Sequence, residues 1–388
     1  MVRMTDRISG AEIYNLNLLQ GFAGYPDVDI SFLTNSKYFL DRIREKKGKA
    51  FFLKSDLEEI GTKKNFLKAL INSPIFISSF ISNIRKVEKG EKFNLICLQS
   101  MTEKIFITPF LKLLNYKIIW IEHGPLFRTK RAAIIKILYK LISNFANKII
   151  AVSKDTEKDL LNGRVNKNKI KTLYIGVDIK YFAPLTAKEI EDEKKKLKIP
   201  LKNFVIGFLG TVNKEKGIEE FFSVASAISS LLSGGRMDSW DGGMKGVNFL
   251  IIGDGPLLKK IKEENKNKNF IFTGFEKDVK KYIGILDILF FPTKHNEGIS
   301  LSLLETMSMR KVVVARDIGG NNEIINENTG HLYNDYKKDG LVNAIKNLQN
   351  NKEKLKNIGK KARDEIIKNF DINKNVKNFY GLFKNLMI

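Results

Sequence analysis

Two shortages in the sequence limit what this protein can be. Its 388 residues include one cysteine, Cys97, so the chain cannot form an internal disulfide, and a reducing compartment is expected. Three histidines beside that single cysteine leave little material for a zinc site built from protein ligands. A disulfide-stabilised secreted domain and a zinc-binding module are therefore both disfavoured.

Long apolar segments are also scarce. Residues 1–12 lack the apolar core of a signal peptide. The longest uncharged run, residues 69–84, contains Asn72, Pro74 and several serines, and it is too short and too polar to span a membrane. We therefore expect a cytoplasmic protein, with peripheral association at the inner face of the cell membrane as an alternative.

Acidic residues are greatly outnumbered by basic ones. The 67 Lys and Arg against 43 Asp and Glu give a formal charge of +24. Such an excess can favour nucleic acid, an anionic membrane surface or phosphorylated substrates as partners. A compositional bias towards Lys, Asn and Ile along the whole chain explains it more simply. Because no homeodomain, zinc-finger, RRM or KH pattern accompanies the charge, no nucleic acid partner is expected.

The order of apolar segments predicts an α/β fold. The chain is long enough for two domains, and in both halves short apolar runs alternate with helical spacing, as in a doubly wound parallel sheet. A charged stretch after Pro184 marks the boundary between the halves. The predicted parts are an N-terminal domain over residues 1–182, a C-terminal domain over 183–370, and a last helix over 371–388 that packs on the N-terminal domain.

The most informative stretch is residues 292–325. A buried strand at 285–291 is followed by a loop with Glu297, a helix over 300–309 with Glu305, and a strand at 312–315. If most of that span is helical, about 12 Å along the axis separates the two carboxylates, with an anion-favouring helix N-terminus between them. This arrangement suits a ligand with hydroxyls at both ends and phosphate in the middle. The alternative is that both glutamates are ordinary solvated residues.

Other loops carry residues suited to a phosphorylated ligand. Residues 210–217 combine two glycines with Lys214 and Lys216 before a helix, and Gly253 and Gly255 follow the next strand. Those two glycines are only part of a dinucleotide-binding fingerprint. His123 lies just past a strand at 118–121, at the edge where open α/β sheets bind ligands. Residues 233–246 are glycine-rich without periodicity and predict a flexible insertion.

One helical segment combines basic and apolar residues. Residues 127–148 contain six Lys or Arg and no acidic residue, with apolar side chains at helical spacing. A basic amphipathic helix of this kind can lie on an anionic membrane. A domain helix with a solvated basic face is the simpler interpretation.

Taken together, these motifs resemble the family 4 glycosyltransferases, which are retaining enzymes of the GT-B fold. Their hallmark of two glutamates eight residues apart resembles Glu297 and Glu305. The likeness covers nearly the whole chain, and several motifs in the family's order are more specific than any one of them. The other segments that resemble family motifs are residues 151–153, 175–178, 253–256, 292–293, 319–323 and Gly330.

The resemblance implies two Rossmann-like domains facing a cleft, with a nucleotide-sugar donor bound mainly by the second and the acceptor by the first. It assigns the ribose hydroxyls to Glu305, the transferred sugar to Glu297 and the diphosphate to Lys216. His123 matches a first-domain histidine that faces the cleft, and Glu297, Lys216 and His123 are the catalytic candidates. Neither a metal nor another cofactor is required, since the nucleotide-sugar is a co-substrate. The donor-binding residues implied in this way are Gly10, Gly210, Thr211, Gly253, Gly255, Gly298, Ile299, Ser300, Leu301 and Glu305.

Two positions depart from the family pattern. Thr211 stands where the family usually has arginine, so neutralisation of the diphosphate would depend on Lys216, with Lys214 as a second candidate. Residues 1–7 are too polar for the buried strand with which family members begin. They predict an incomplete first domain, through a start placed too far downstream or a truncation.

The leading hypothesis is a retaining glycosyltransferase whose acceptor is a glycan, a lipid-linked molecule or a phosphorylated one. A GT-B epimerase or phosphorylase would keep the fold and change the reaction. A non-catalytic sugar-nucleotide-binding or scaffold subunit is favoured by Thr211 and the absent first strand. A nucleic-acid-binding protein is the remaining alternative, and it predicts a steep dependence of affinity on salt.

Overall fold

The computed structural model describes residues 1–2, 10–53, 60–88, 92–233, 246–265 and 267–387. The insertion predicted at residues 233–246 lies for the most part outside the described residues. Contacts between Cα atoms divide the chain into two compact units. The first unit comprises Met1–Gly176, Glu297–Ile299 and Ile372–Ile388, and the second comprises Val177–Asn296 and Ser300–Asp371.

The first unit is built on parallel strands. They run in the order β2-β1 and β3-β4-β5-β6. The central strands are aliphatic at almost every position because helices cover both faces of such a sheet, and Trp120 is fully buried among them. The strands are β1 (Ser31–Thr34), β2 (Lys49–Phe52), β3 (Leu95–Leu98), β4 (Lys117–Glu122), β5 (Lys148–Ala151) and β6 (Ile170–Thr172).

The first two residues join the two groups of strands. Val2 forms parallel bridges to Leu33 on β1 and to Leu98 on β3. Its backbone N–H donates to the Cys97 carbonyl at 2.8 Å, and the Met1 carbonyl accepts from Leu33 N–H at 2.9 Å. The rest of the segment predicted to lack an ordinary strand, residues 3–7, lies outside the described residues.

The helices of the first unit flank this sheet. Helix α4 begins with a capping box of Ser100 and Glu103, and Ser153 caps α6 by accepting from Thr156 N–H. Helix α15 packs on α1, where Phe22 and Phe383 stack with ring centroids 5.8 Å apart. The helices are α1 (Gly10–Phe22), α2 (Lys37–Glu45), α3 (Lys63–Glu88), α4 (Met101–Leu113), α5 (Ala133–Ile142), α6 (Lys154–Asn162) and α15 (Ile372–Met387).

Helix α3 contains the uncharged run at residues 69–84, which by itself is predicted to be too short and too polar to cross a membrane. The complete helix has 26 residues and is, by length and composition alone, long and apolar enough to do so. One of its faces nevertheless packs in the core of the first unit, where Phe76 and Phe80 are buried. Only 28% of its most apolar stretch of 18 residues is buried, so much of the helix surface faces outward.

The second unit has a six-stranded parallel sheet in the order β12-β11-β10-β7-β8-β9. The chain moves outward in one direction from β7 and in the other from β10, so the topological switch point lies between these two strands. The fold class predicted from the sequence, two doubly wound Rossmann-like domains, is confirmed. The strands are β7 (Phe204–Leu209), β8 (Val247–Ile252), β9 (Phe270–Gly274), β10 (Ile288–Phe291), β11 (Val312–Arg316) and β12 (His331–Tyr333).

Helices cover both faces of the second sheet. The core between these helices and the sheet contains aromatic pairs, and Phe221 of α8 stacks on Phe290 of β10 with ring centroids 6.0 Å apart. From Lys338 to Met387 the chain is helical apart from two short breaks. The helices are α7 (Ala187–Lys196), α8 (Ile218–Ser233), α9 (Leu258–Glu264), α10 (Lys280–Gly284), α11 (Leu301–Ser308), α12 (Asn321–Ile324), α13 (Lys338–Asn350) and α14 (Lys352–Asn369).

Candidate functional site

The loops that follow β7 and β10 meet at the switch point of the second sheet. The Glu215 carbonyl, in the 210–217 loop, accepts from Lys294 N–H at 2.7 Å and from His295 N–H at 3.1 Å. Gly217 has φ +75°, and a Cβ there would lie 2.0 Å from the Pro292 carbonyl oxygen. Only glycine therefore allows the two loops to approach so closely.

The loop after β8 supports the 210–217 loop from the other side. Val212 N–H donates to the Asp254 carbonyl at 2.9 Å. A Cβ on Gly253 would lie 2.0 Å from the Gly210 carbonyl oxygen, and one on Gly255 would lie 2.6 Å from that of Val212. Gly210, Gly253 and Gly255, which the sequence assigns to donor binding, thus come together at the carboxyl edge of neighbouring strands.

Lys216 is held at this junction. Its backbone N–H donates to the Asn213 side-chain oxygen at 2.8 Å, which closes the turn that leads into α8. Burial lowers the pKa of the Lys216 ammonium to about 8, although the neighbouring Glu215 carboxylate opposes the shift. An ammonium poised to lose its proton in this way gains most from an anion bound beside it.

The two other residues considered for the diphosphate lie toward solvent. The side chain of Thr211 is exposed. Lys214 is exposed as well, and its ammonium lies 3.6 Å from the Glu219 carboxylate. Among the three residues, only Lys216 combines a positive charge with substantial burial.

Glu305 lies on α11 and is only 8% exposed. Burial raises the pKa of its carboxyl to about 8, and the Asp278 carboxylate adds to the shift. Within the described ranges, no side chain pairs with this carboxylate or donates a hydrogen bond to it. A ligand with hydroxyl groups would supply this largely buried acceptor with the donors that the described residues do not.

The start of α11 corrects one geometric expectation. The helix begins at Leu301, with buried Ser300 as its N-cap residue, so only the second half of the span from Glu297 to Glu305 is helical. The separation of about 12 Å, which assumed a mostly helical span, therefore does not apply. Glu305 lies more than one turn into the helix, as predicted.

A half-buried arginine fixes the surroundings of α11. The Arg363 guanidinium on α14 donates to the carbonyls of Phe182 and Ile179, each at 3.2 Å, and it also contacts the Ser308 carbonyl at the end of α11. The turn fixed in this way carries Tyr181. Partial burial and, after it, a hydrogen bond to Asp278 raise the pKa of the Tyr181 phenol to about 12.

In the first unit, His123 follows β4 at the carboxyl edge of the sheet. Its Nε2 lies 2.9 Å from the Gln99 side-chain oxygen, which also accepts from the Asn15 amide at 3.1 Å. The Gln99 amide donates back to the Asn15 oxygen at 2.8 Å. Tyr14 on α1 packs edge-on against the imidazole with centroids 5.6 Å apart. These contacts fix the orientation of His123 and the proton on its Nε2.

The segment Glu297–Ile299 belongs by its contacts to the first unit. Gly298 N–H donates to the His123 carbonyl at 3.1 Å. A Cβ on Gly298 would lie 2.6 Å from the Val152 side chain and 2.7 Å from that carbonyl oxygen. The glycine therefore allows Glu297 and Ile299 to lie beside His123.

The residues assigned from the sequence thus fall into two groups. The first unit holds Gly10, His123 and Glu297–Ile299, with Gly10 exposed at the first position of α1, one turn before Tyr14. The second unit holds the glycine loops, Thr211, Lys216, Ser300, Leu301 and Glu305. Within the described ranges, no group of three His, Cys, Asp or Glu residues could hold a metal ion.

Sequence reasoning missed several residues of these groups. Gln99 and Asn15 are 84 positions apart, so no local pattern could pair them. His295 was also missed, although it lies beside Lys216. Burial of the imidazole and the positive charge of Lys216 both lower the pKa of His295.

Comparison with known proteins agrees with the fold. Residues 8–181 match the model of Glycosyltransferase Family 4, and residues 189–365 match that of Glycosyl transferases group 1. An uncharacterised glycosyltransferase of Methanocaldococcus jannaschii is 27% identical over 298 residues, which make up 73% of this chain and 71% of that protein.

Two more distant proteins complete the comparison. The poly(ribitol-phosphate) α-N-acetylglucosaminyltransferase of Staphylococcus aureus is 26% identical over 72% of this chain, which spans about half (52%) of that protein. Anabaena HepE, solved in complex with UDP, shares the fold with a TM-score of 0.79 at 16% identity, covering 99% of this chain and 98% of HepE. The chain belongs to family 4 of the glycosyltransferases.

Proposed function

We propose that the protein is a retaining glycosyltransferase that moves a sugar from a nucleoside diphosphate donor to an acceptor. The observation that carries the proposal is the set of glycine loops at the switch point of the second sheet. They surround a half-buried lysine, Lys216, in the same unit as Glu305, a largely buried carboxylate without a donor among the described residues. A diphosphate and the hydroxyls of a ribose match these two groups.

Glu305 is proposed to accept hydrogen bonds from the ribose hydroxyls. Its carboxylate is buried, and the described part of the chain offers it neither a cation nor a donor. Two ribose hydroxyls would satisfy it, and hydrogen bonds to an ionised group are each worth about 1.5–3 kcal/mol. Ionised Glu305 is the form that accepts both, so donor binding should favour loss of its proton.

Lys216 is proposed to stabilise the leaving group. When the bond between the anomeric carbon and the phosphate oxygen breaks, the electron pair stays on the nucleoside diphosphate, whose charge then increases. An ammonium fixed beside that charge and partly shielded from water stabilises the transition state more than the ground state. No metal ion is required in this proposal.

The first unit is proposed to bind the acceptor. Glu297 and His123 are assigned to the sugar being transferred, and Gly10 to the phosphates. The acceptor class is proposed to be a glycan, lipid-linked or phosphorylated molecule, handled on the cytoplasmic side. The relative that acts on poly(ribitol-phosphate) and the HepE complex with UDP support a phosphorylated acceptor and a nucleotide donor.

A transfer assay with product analysis tests this proposal. Purified protein is incubated with α-linked UDP-, GDP- and ADP-sugars and acceptor extracts, and the new linkage is read by NMR. We expect release of a nucleoside diphosphate and an α-linked product. A β-linked product would refute retention, while a change of the donor sugar without an acceptor would indicate an epimerase.

Variants connect the activity to the site. Lys216→Ala should lower kcat/KM at least a hundredfold, as expected for loss of a charge that acts in the transition state. Lys259→Ala, on the exposed surface of α9, is the matched control and should have no effect. Donor binding without turnover on any acceptor would instead favour a non-catalytic subunit, which the threonine at position 211 would explain.

A further inference from the structure

We infer that α3 and α5 form a docking surface for an anionic lipid bilayer. The inference goes beyond the proposed function, since it concerns a face of the first unit that contains none of the residues assigned to donor or acceptor. It rests on exposed apolar stripes along two neighbouring helices and on the charge that accompanies them.

The first stripe lies on α3. Leu67, Ile71 and Ile75 follow one another at intervals of four residues, so they share one face of the helix. Their exposed fractions are 57%, 78% and 76%, while Phe66 and Phe76 on the other side are buried. The helix is therefore apolar on both faces, and only the inner one is covered.

The second stripe lies on α5. Ile134, Ile137 and Leu141 share a face and are 40%, 55% and 58% exposed, whereas Ile135 and Tyr139 face the core. The sequence suggested a single apolar face for this segment. The structure divides its apolar residues between an inner and an outer face, which leaves the outer one without a partner in the described part of the unit.

The two helices share a packing partner and a joined start. Both pack on α4, whose residues 101–108 are all buried. The segments that lead into α3 and α5 are joined directly, because Ala132 N–H donates to the Gly61 carbonyl at 3.2 Å and Arg131 donates to the Ile60 carbonyl at 3.0 Å. The N-terminal ends of α3 and α5 are thus held close together.

The positive charge around the stripes indicates which partner docks on them. Lys63, Lys64, Lys68 and Lys140 are exposed on these helices. From residue 60 to 87 and from 123 to 154 the sequence has no Asp or Glu. A second copy of this chain docked on the same face would bring lysines against lysines. Anionic lipid headgroups instead complement them, at about 1 kcal/mol per lysine, while the apolar stripes enter the acyl boundary.

The position of the surface fits a membrane-bound acceptor. In a parallel sheet a helix that follows a strand begins at the carboxyl edge, so α5 begins at the edge where His123 lies. Helix α3 precedes β3 and therefore begins at the same edge. Docking through the first turns of both helices would hold this edge close to the headgroups.

Vesicle binding by the full chain tests the inference. Co-sedimentation with phosphatidylcholine vesicles, with and without 30% phosphatidylglycerol, measures partitioning in the absence of any donor or acceptor. We expect binding to the anionic vesicles that weakens steeply with salt. Replacing Lys63, Lys64 and Lys68 by Gln should lower the partition coefficient at least tenfold.

Apolar variants supply the second arm of the experiment. The double variant Ile71→Asn and Ile75→Asn should also lower partitioning at least tenfold, and because both side chains are exposed its circular dichroism should match the wild type. Leu201→Asn, 49% exposed in the second unit, is the control and should bind normally. No binding to anionic vesicles, or binding that neither set of variants changes, would overturn the inference.

Two further outcomes would also overturn it. Equal binding to neutral and anionic vesicles would show that the lysines do not select the surface. A dimer in light scattering that Ile71→Asn and Ile75→Asn dissociate would show that a second copy covers the stripes. Because transfer is assayed separately with soluble acceptors, failure of vesicle binding does not contradict the proposed glycosyl transfer. Likewise, failure of glycosyl transfer does not contradict membrane docking.

Discussion

Replacing Glu305 by glutamine should stabilise the folded protein at alkaline pH and have little effect at acidic pH. Burial and Asp278 raise the pKa of this carboxyl from an ordinary 4.5 to about 8. A raised folded-state pKa means that folding favours the protonated form. The stability that Glu305 contributes is therefore fully present below pH 4.5 and is lost as the pH rises through 8.

The magnitude follows from the shift. Holding an ionised carboxylate in this environment costs the folded state about 5 kcal/mol above pH 8, as an upper value, since 1.36 kcal/mol corresponds to each pH unit of displacement. Glutamine has nearly the same shape and never ionises. Glu305→Gln should thus gain several kcal/mol over the wild type at pH 8.5 and almost none at pH 4.5.

Urea unfolding followed by circular dichroism at pH 4.5, 6.5 and 8.5 measures the difference. Glu263→Gln, on the exposed surface of α9, is the matched control and should show the same midpoint as the wild type at each pH. The reasoning fails if the stability difference between Glu305→Gln and wild type does not change with pH, or if the variant is less stable at pH 8.5.

Three other predictions test the loops and the chemistry. Gly217→Ala should destabilise the protein by about 2–4 kcal/mol in urea unfolding, because its Cβ would meet the Pro292 carbonyl at a positive φ, whereas Gly381→Ala in open space should not. Long-range nitrogen-15 spectra should place the proton of the neutral His123 ring on Nε2, which lies 2.9 Å from the Gln99 side-chain oxygen. Gln99→Leu should weaken the preference for this tautomer. A proton on Nδ1 in the native protein would contradict the geometry. Transfer should continue in excess EDTA because a lysine is proposed to neutralise the diphosphate, and a loss restored by Mg²⁺ would show otherwise.

Much of the fold could be predicted because its determinants are local. The buried strands of parallel sheets are continuous apolar runs, so β10 and β11 could be predicted from their own residues alone. The glycines at 210, 217, 253 and 255 predicted tight loops, because this signal is also local in the sequence. Short strands with polar or exposed positions, such as β2 and β12, gave no comparable signal and were missed.

The details of the candidate site depend on contacts between distant parts of the chain. The amide pair of Asn15 and Gln99 that orients His123 joins residues far apart in sequence, and each amide alone looks like an ordinary polar residue. Likewise, nothing in the sequence indicates that Glu297–Ile299 packs with the first unit while both of its neighbours pack with the second. Tertiary structure, not local pattern, decides which side chains meet.

Calorimetric titration with UDP, GDP and ADP tests the central claim most directly. The account predicts that at least one of them binds, and that Glu305→Ala and Lys216→Ala each weaken its binding at least tenfold, which corresponds to about 1.4 kcal/mol. Lys259→Ala should bind as the wild type does. If none of the three nucleotides binds, or if one binds equally well to both site variants, the donor site described for the second unit is wrong.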